Sequence, residues 1–263
     1  MRTLKLTLAY DGTEYVGWQR QAAGSSIQGL VEAALAAVEG APVAVTGAGR
    51  TDAGVHALGQ VASFALAHPL ALPALLRALN ARLPGDVRAL GIEEVAPGFH
   101  ARFSAVSKTY RYRIRTGPLD DPFDRRFCWH VPHALDLGAM RTALEAVTGR
   151  HDFAAFQATG SDVKTTVRSV TRAELRVVEP GTGRAAVAGP TAPGVVEGPI
   201  VEIELDADGF LRQMVRAIVG TLVEVGQGRR AASQVAAAMA SRDRSQAGPT
   251  APAHGLFLVR VEY

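Results

Sequence analysis

The chain of 263 residues contains a single cysteine, Cys128, which excludes an intramolecular disulfide and a cysteine-based metal cluster. A lone cysteine fits a reducing compartment. The first ten residues alternate polar and apolar side chains, so they lack the continuous apolar core of a signal peptide. The alternation in residues 3–10 predicts a strand with Leu4, Leu6 and Leu8 on one face. No apolar run approaches the length of a membrane-spanning helix. We therefore expect a soluble, cytoplasmic protein with no membrane partner.

Lysine is also scarce, because only three of the 28 basic residues are lysine and the others are arginine. This bias has two interpretations: an arginine- and alanine-rich genomic composition, or the use of guanidinium groups for phosphate recognition. The formal net charge of +3 permits nucleic-acid binding without requiring it. The seven histidines form no recognised zinc-binding pattern, so we expect no metal site.

Strand-like and helix-like patterns alternate along the chain, and 48% of its residues are hydrophobic, enough for a sizeable core. Ser25 to Gln28 resembles a capping box that opens an amphipathic helix ending near Gly40. The pattern restarts near residue 106. We therefore predict an α+β fold of two similar halves, 1–106 and 107–263, each a mainly antiparallel sheet with helices packed on one face, and we expect an active-site cleft between them. A Gly/Pro/Ala-rich loop at 179–199 looks like a hairpin extension.

The first candidate site is the glycine-rich loop from Gly47 to Gly54, where Arg50 and Asp52 are the only charged residues. Glycine allows the backbone to approach a ligand closely. The loop lacks the Gly-Lys-Ser/Thr of a phosphate-binding loop and the spacing of a dinucleotide fingerprint. Two interpretations stay open: an ordinary turn with a structural ion pair, or a site centred on Asp52.

The second candidate is a helix predicted over residues 210–226, which is apolar nearly all round and therefore expected to be buried. Arg212 and Arg216 lie on one row at i, i+4 spacing. A buried guanidinium requires a carboxylate or phosphate. The ion pair is either purely structural, or it joins Arg216 to Asp52.

The third candidate combines a short aromatic and basic stretch, residues 99–103, with a strand predicted over residues 107–115. Tyr110, Tyr112 and Ile114 share one strand face, and Arg111, Arg113 and Arg115 share the other. Interleaved aromatic and basic side chains suit base stacking and phosphate contact, although aromatic residues on a strand more often belong to a core.

The order of short motifs along residues 4–262 resembles the tRNA pseudouridine synthase A family. Its catalytic loop is matched by Gly49-Arg50-Thr51-Asp52-Ala53-Gly54-Val55-His56. The other matching motifs are, in chain order, Tyr10-Asp11-Gly12, Gly17-Trp18-Gln19-Arg20-Gln21, Leu83-Pro84-Gly85-Asp86, Phe99-His100-Ala101-Arg102-Phe103-Ser104-Ala105, Tyr110-Arg111-Tyr112, His151-Asp152-Phe153, Met214-Val215-Arg216 with Ile218-Val219-Gly220, and Gly255-Leu256 with Leu258.

The resemblance implies isomerisation of uridine to pseudouridine at positions 38, 39 and 40 of the tRNA anticodon stem-loop, by a homodimer without a cofactor. It makes Asp52 the nucleophile, Tyr110 the residue that stacks on the target base, and Arg216 the partner of Asp52. It further implies that Leu256 contacts the substrate and that Arg50 contacts both substrate and RNA. The remaining RNA contacts implied are Phe99, His100, Ala101, Arg102, Phe103 and Lys164. Residues 157–166 and the 179–199 loop depart from the family pattern.

Two other functions are alternatives to the isomerase. A non-catalytic RNA-binding protein of the same fold would keep the basic faces but would not need Asp52, Tyr110 and Arg216 together. An aspartate-dependent hydrolase would want a second carboxylate near Asp52 or a metal cluster, and the sequence offers neither.

Overall fold

The computed structural model describes residues 1–158, 160, 163–178 and 198–263. Within them the strands are β1 (Arg2–Tyr10), β2 (Thr46–Gly47), β3 (His56–Leu66), β4 (Val87–Val95), β5 (Ser107–Thr116), β6 (Trp129–Val131), β7 (Gly149–Asp152), β8 (Val167–Val178), β9 (Ile200–Ala207) and β10 (Leu256–Glu262). The α-helices are α1 (Ile27–Glu39), α2 (Leu72–Asn80), α3 (Leu137–Glu145), α4 (Met214–Gly226) and α5 (Ser233–Ser241). The predicted extension at 179–199 falls almost wholly outside the described residues.

The chain divides into two compact units. Unit 1 contains residues 1–109 and 257–263, and unit 2 contains residues 110–256. The last strand, from Phe257 onward, therefore belongs to unit 1, whereas a simple division at residue 106 assigns it to the second half. This arises because β10 pairs in parallel with β3 through Phe257 and Leu258.

Unit 1 is built on a sheet in the order β4-β1-β3-β10, with β1 antiparallel to both neighbours. The alternation predicted from the sequence is confirmed, since Leu4, Leu6 and Leu8 are fully buried. Helix α1 begins after Ser26, whose hydroxyl accepts a hydrogen bond from the Gly29 N–H at 3.2 Å. The predicted capping box is therefore wrong in detail. The cap is Ser26, and the Gln28 side chain donates to Glu32 and to the Val45 carbonyl instead of bonding back to the cap.

Unit 2 has the strand order β5-β9-β8-β7, with β8 antiparallel to both β7 and β9. The mixed architecture with mainly antiparallel pairing agrees with the sequence prediction. Helix α4, predicted from residue 210, begins at Met214, because Gln213 adopts a left-handed conformation at φ 61°. Arg212 consequently lies before the helix and is exposed, not buried in the predicted row.

Strand β5 carries its apolar side chains as predicted, with Tyr112 and Ile114 fully buried. Its arginine row is not the open basic face that the sequence suggested. Arg111 and Arg113 form ion pairs with Glu202 of β9 at 3.5 and 3.4 Å. The third arginine, Arg115, is buried and pairs with two aspartates, Asp121 and Asp124. Neighbouring carboxylates therefore neutralise the row.

Candidate active site

Asp52 lies in unit 1 on the loop that joins β2 to β3, between a buried Thr51 and an exposed Ala53. Its side chain is partly exposed. The loop reverses immediately after Asp52, where the Val55 N–H donates to the Asp52 carbonyl at 3.1 Å. Gly54 permits this turn because its φ is +77°, in the region that favours glycine.

The segment that follows β1 packs directly against this loop. The Trp18 N–H donates to the Thr51 carbonyl at 3.0 Å. Gly17 brings the two backbones together, since a Cβ placed on it would lie 2.5 Å from the Thr51 carbonyl oxygen. The Gly12 N–H donates to Nδ1 of the buried His56 at 3.0 Å, just beyond the loop. A single segment distant in sequence, residues 12–18, thus contacts the chain on both sides of Asp52.

Arg50 projects from the same loop and is exposed, with its Nε donating to Gln19 Oε1 at 3.1 Å. The loop is also held at its start, where Lys108 Nζ donates to the Ala48 carbonyl at 2.7 Å. The backbone of Arg50 is therefore held in place while its guanidinium stays accessible. This is the arrangement expected of a residue that contacts a phosphate or a base.

Tyr110 is the first residue of unit 2, and it is buried, with 8% of its surface exposed. It meets Phe210 edge to face, with 5.0 Å between ring centroids. Leu256 lies in the same unit and is buried at 6% exposure. The adjacent Gly255 allows close approach to Tyr112, because a Cβ there would lie 2.6 Å from its ring.

Arg216 occupies the first turn of α4 and is partly buried. Its Nε donates to the Ala251 carbonyl at 2.8 Å, and the Ala251 N–H donates to the Arg216 carbonyl at 3.0 Å. Its positive charge favours ionisation of Tyr112, but burial dominates and raises the pKa of that phenol. Backbone contacts at Ala251 thus fix the guanidinium near the helix N-terminus.

A family model described as tRNA pseudouridine synthase matches residues 7–104 and 143–263 of the chain. The chain belongs to the tRNA pseudouridine synthase family. Relatives named tRNA pseudouridine synthase A from Syntrophotalea carbinolica and Moorella thermoacetica are each 45% identical to it, over all of this chain and 97% and 100% of theirs. A relative of the same name from Myxococcus xanthus is 45% identical, over all of this chain and 92% of its own. These findings confirm the resemblance seen in the motifs.

The residues that the family resemblance associates with RNA differ in accessibility. In unit 1, Phe103 is 76% exposed and stacks on His100 with 4.3 Å between ring centroids. The Arg102 guanidinium lies 5.5 Å from the Phe103 ring centroid. Ala101 is fully buried, whereas Phe99 and His100 are partly buried and Phe99 packs on Tyr263. The exposed side chains of this stretch are therefore Arg102 and Phe103.

Lys164 lies in unit 2 and is exposed. Its neighbours at positions 161 and 162 are outside the described residues, as is position 159. In the part of the chain that is described, no three histidine, cysteine, aspartate or glutamate side chains are grouped as a metal site would require. The same part contains no helix long and apolar enough to cross a bilayer.

Three buried polar residues below the Asp52 loop were not singled out from the sequence. They are Tyr10, Thr51 and Gln60, with exposures of 4%, 5% and 0%. Tyr10 and Thr51 both stand inside the family motifs, and Thr51 directly precedes Asp52, so its position was a usable signal. Gln60 lies in a strand whose pattern gives no such signal, and only the structure brings it under the loop.

Proposed function

We propose that this protein isomerises uridine to pseudouridine in the anticodon stem-loop of tRNA, at positions 38, 39 and 40, with Asp52 as the nucleophile. The observation that carries the proposal is the full-length family match, which includes the Asp52 loop and the Arg216 helix. The glycine turn that presents a partly exposed Asp52 on a firmly held loop supports the same assignment.

The reaction breaks the glycosidic bond between N1 of uracil and C1′ of the ribose, rotates the uracil and forms a bond between C5 and C1′. C5 loses its proton and N1 gains one, so the overall composition is unchanged. A carboxylate can hold the base or the ribose covalently while the uracil turns, as in other nucleophilic catalysis. No redox change is required, so the proposed reaction proceeds without a cofactor. The target nucleotide must first leave the stack, at a cost of a few kcal/mol.

We assign the remaining roles from the family match. Tyr110 stacks on the flipped uracil, Leu256 lines the apolar side of its pocket, and Arg216 pairs with Asp52. Arg50 contacts the RNA where the base has left. In this proposal Asp52 and Arg50 come from unit 1, and Tyr110, Arg216 and Leu256 come from unit 2.

We propose that RNA is held by a homodimer in the cytoplasm, with one subunit gripping the tRNA body while the other modifies the stem-loop. A net charge of +3 leaves each subunit with little surplus positive charge. Because the Arg111 and Arg113 row is neutralised by Glu202, the proposed contacts are Arg50, His100, Arg102, Phe103 and Lys164. Two copies of such a surface would double the phosphate contacts available.

The decisive experiment incubates the purified protein with an unmodified tRNA transcript, without any cofactor, and maps pseudouridine. We expect modification at positions 38 to 40 and none with Asp52→Asn. Glu94→Gln is the matched control, because it also removes one negative charge in unit 1 but from an exposed strand position. A protein that binds the transcript without making pseudouridine would be the non-catalytic RNA-binding alternative. Activity of Asp52→Asn above a few per cent of wild type would refute the nucleophile.

A further inference from the structure

A buried polar network lies beneath the loop that carries Asp52. Gln60 comes from β3, Tyr10 from the end of β1 and Thr51 from the loop itself. All three side chains are withdrawn from solvent, so their polar atoms must be satisfied by one another or by the backbone.

Gln60 has only one orientation that satisfies its surroundings. Its Nε2 donates to the Gly49 carbonyl at 3.0 Å and to the Tyr10 hydroxyl at 3.3 Å. Its Oε1 accepts from the Val61 N–H at 3.2 Å. Because a carbonyl can only accept, the reversed amide would place two oxygens against each other at Gly49. The amide nitrogen therefore faces both the loop, at Gly49, and the Tyr10 hydroxyl.

Tyr10 links Gln60 to Thr51. Its oxygen accepts from Gln60 Nε2 and shares a hydrogen bond of 2.9 Å with Thr51 Oγ1, in which either hydroxyl can donate. Burial raises the pKa of Tyr10 to about 12, and the phenol therefore keeps its hydrogen at neutral pH. The result is a connected chain of hydrogen bonds from Gln60 through Tyr10 to Thr51, the residue immediately before Asp52.

We propose that Gln60, Tyr10 and Thr51 are positioning residues for the isomerisation, holding the Asp52 carboxylate in its reacting geometry. The network forms hydrogen bonds with the loop at Gly49 and at Thr51, on both sides of Arg50. The inference rests on the role proposed for Asp52. Misplacing a reacting group by about 1 Å can reduce a rate by about a hundredfold, so small shifts of this loop matter.

Other bonds hold the loop when the network is removed. The Trp18 N–H still donates to the Thr51 carbonyl, and Lys108 still donates to the Ala48 carbonyl. We therefore expect that loss of a hydroxyl from the network changes the orientation of the Asp52 carboxylate more than it changes the backbone conformation of the loop. This separates a positioning role from a purely structural one.

The test compares Thr51→Val, which has nearly the same shape without a hydroxyl, with Thr51→Ser, which keeps the hydroxyl. Pseudouridine formation is followed in single turnover, with saturating enzyme in excess over tRNA. Under these conditions a partly unfolded sample gives the same rate constant, provided that folded enzyme stays in excess. We expect Thr51→Val to be slower by about tenfold or more, tRNA affinity to change by less than about twofold, and Thr51→Ser to recover most of the rate.

Tyr10→Phe is the second variant, because it removes the same hydrogen bond from the opposite side. We expect Tyr10→Phe with Thr51→Val to be scarcely slower than the slower single variant, since the bond can be lost only once. Wild-type rate constants in both single variants, or Thr51→Ser as slow as Thr51→Val, would overturn the network. Asp52→Asn is measured in parallel: its activity would refute the role of Asp52, whereas its inactivity beside a fully active Thr51→Val refutes only the positioning role.

Discussion

Gly17 is a residue at which a single added methyl group should displace the Asp52 loop. Its φ is +103°, which is strained for any residue with a side chain. A Cβ there would lie 2.5 Å from the Thr51 carbonyl oxygen and 3.0 Å from the Asp52 carbonyl carbon. Both contacts are to backbone atoms, which cannot rotate away as a side chain does. We therefore expect Gly17→Ala to displace the loop.

The expected cost can be assembled from three contributions. The left-handed conformation costs alanine about 1–2 kcal/mol. Relieving the overlap with the loop backbone adds about 1–3 kcal/mol, as in other overpacked sites. Restricting the unfolded chain returns about 0.4–1 kcal/mol. The net loss is about 1–5 kcal/mol, a large fraction of a typical stability of about 5–15 kcal/mol.

The assay pairs denaturant unfolding with single-turnover pseudouridine formation. Gly91→Ala is the matched control, because Gly91 lies on β4 of the same unit, has no positive φ, and has open space where its Cβ would be. Gly17→Ala should unfold at a lower denaturant concentration than the wild type and form pseudouridine more slowly. If Gly17→Ala and Gly91→Ala share the wild-type midpoint and rate, the close packing of Gly17 against the Asp52 loop is not as described.

Four further variants or conditions test the assignments. Tyr110→Phe keeps a ring for stacking and loses the hydroxyl, so turnover should fall much further than tRNA affinity; equal losses would assign the hydroxyl to binding. Arg216→Ala removes a charged hydrogen bond to Ala251, a loss of about 1.5–3 kcal/mol, and should lower both Tm and activity; unchanged values of both would contradict its role. Glu204→Gln should lower Tm at pH 7. Burial opposes ionisation of Glu204, but hydrogen bonds from arginine side chains outweigh the effect of burial and hold the pKa of Glu204 below the usual 4.5. That stabilisation is present above pH 4.5 and is lost as the pH falls through the lowered pKa, so the Tm difference should shrink in acid, and a constant difference would exclude the linkage. Finally, the affinity for full tRNA should fall more steeply with salt than the affinity for the isolated anticodon stem-loop. Each additional phosphate contact should add about 0.7–0.9 to the slope of log affinity against log salt concentration. Equal slopes would exclude a second RNA surface, and a monomer in sedimentation would exclude the dimer.

Local patterns were sufficient where burial is set by sequence periodicity. The alternation in residues 3–10 predicted β1, and the buried side of β5 was predicted from Tyr110, Tyr112 and Ile114. Glycine at position 40 correctly marked the end of α1, because only a left-handed residue closes that turn. The motif order was specific enough to indicate the family, since each motif reports a local backbone or chemical requirement that survives in the linear sequence.

Tertiary structure decided which charges and polar groups meet. The arginines of β5 looked like an open basic face, and only the pairing with β9 and its Glu202 revealed their neutralisation. Similarly, nothing in the strand pattern around Gln60 placed its amide beneath Gly49, 11 residues away. Periodicity tells which side of an element is buried, but the partner of a buried polar group comes from another segment, and its identity depends on the folded path of the chain.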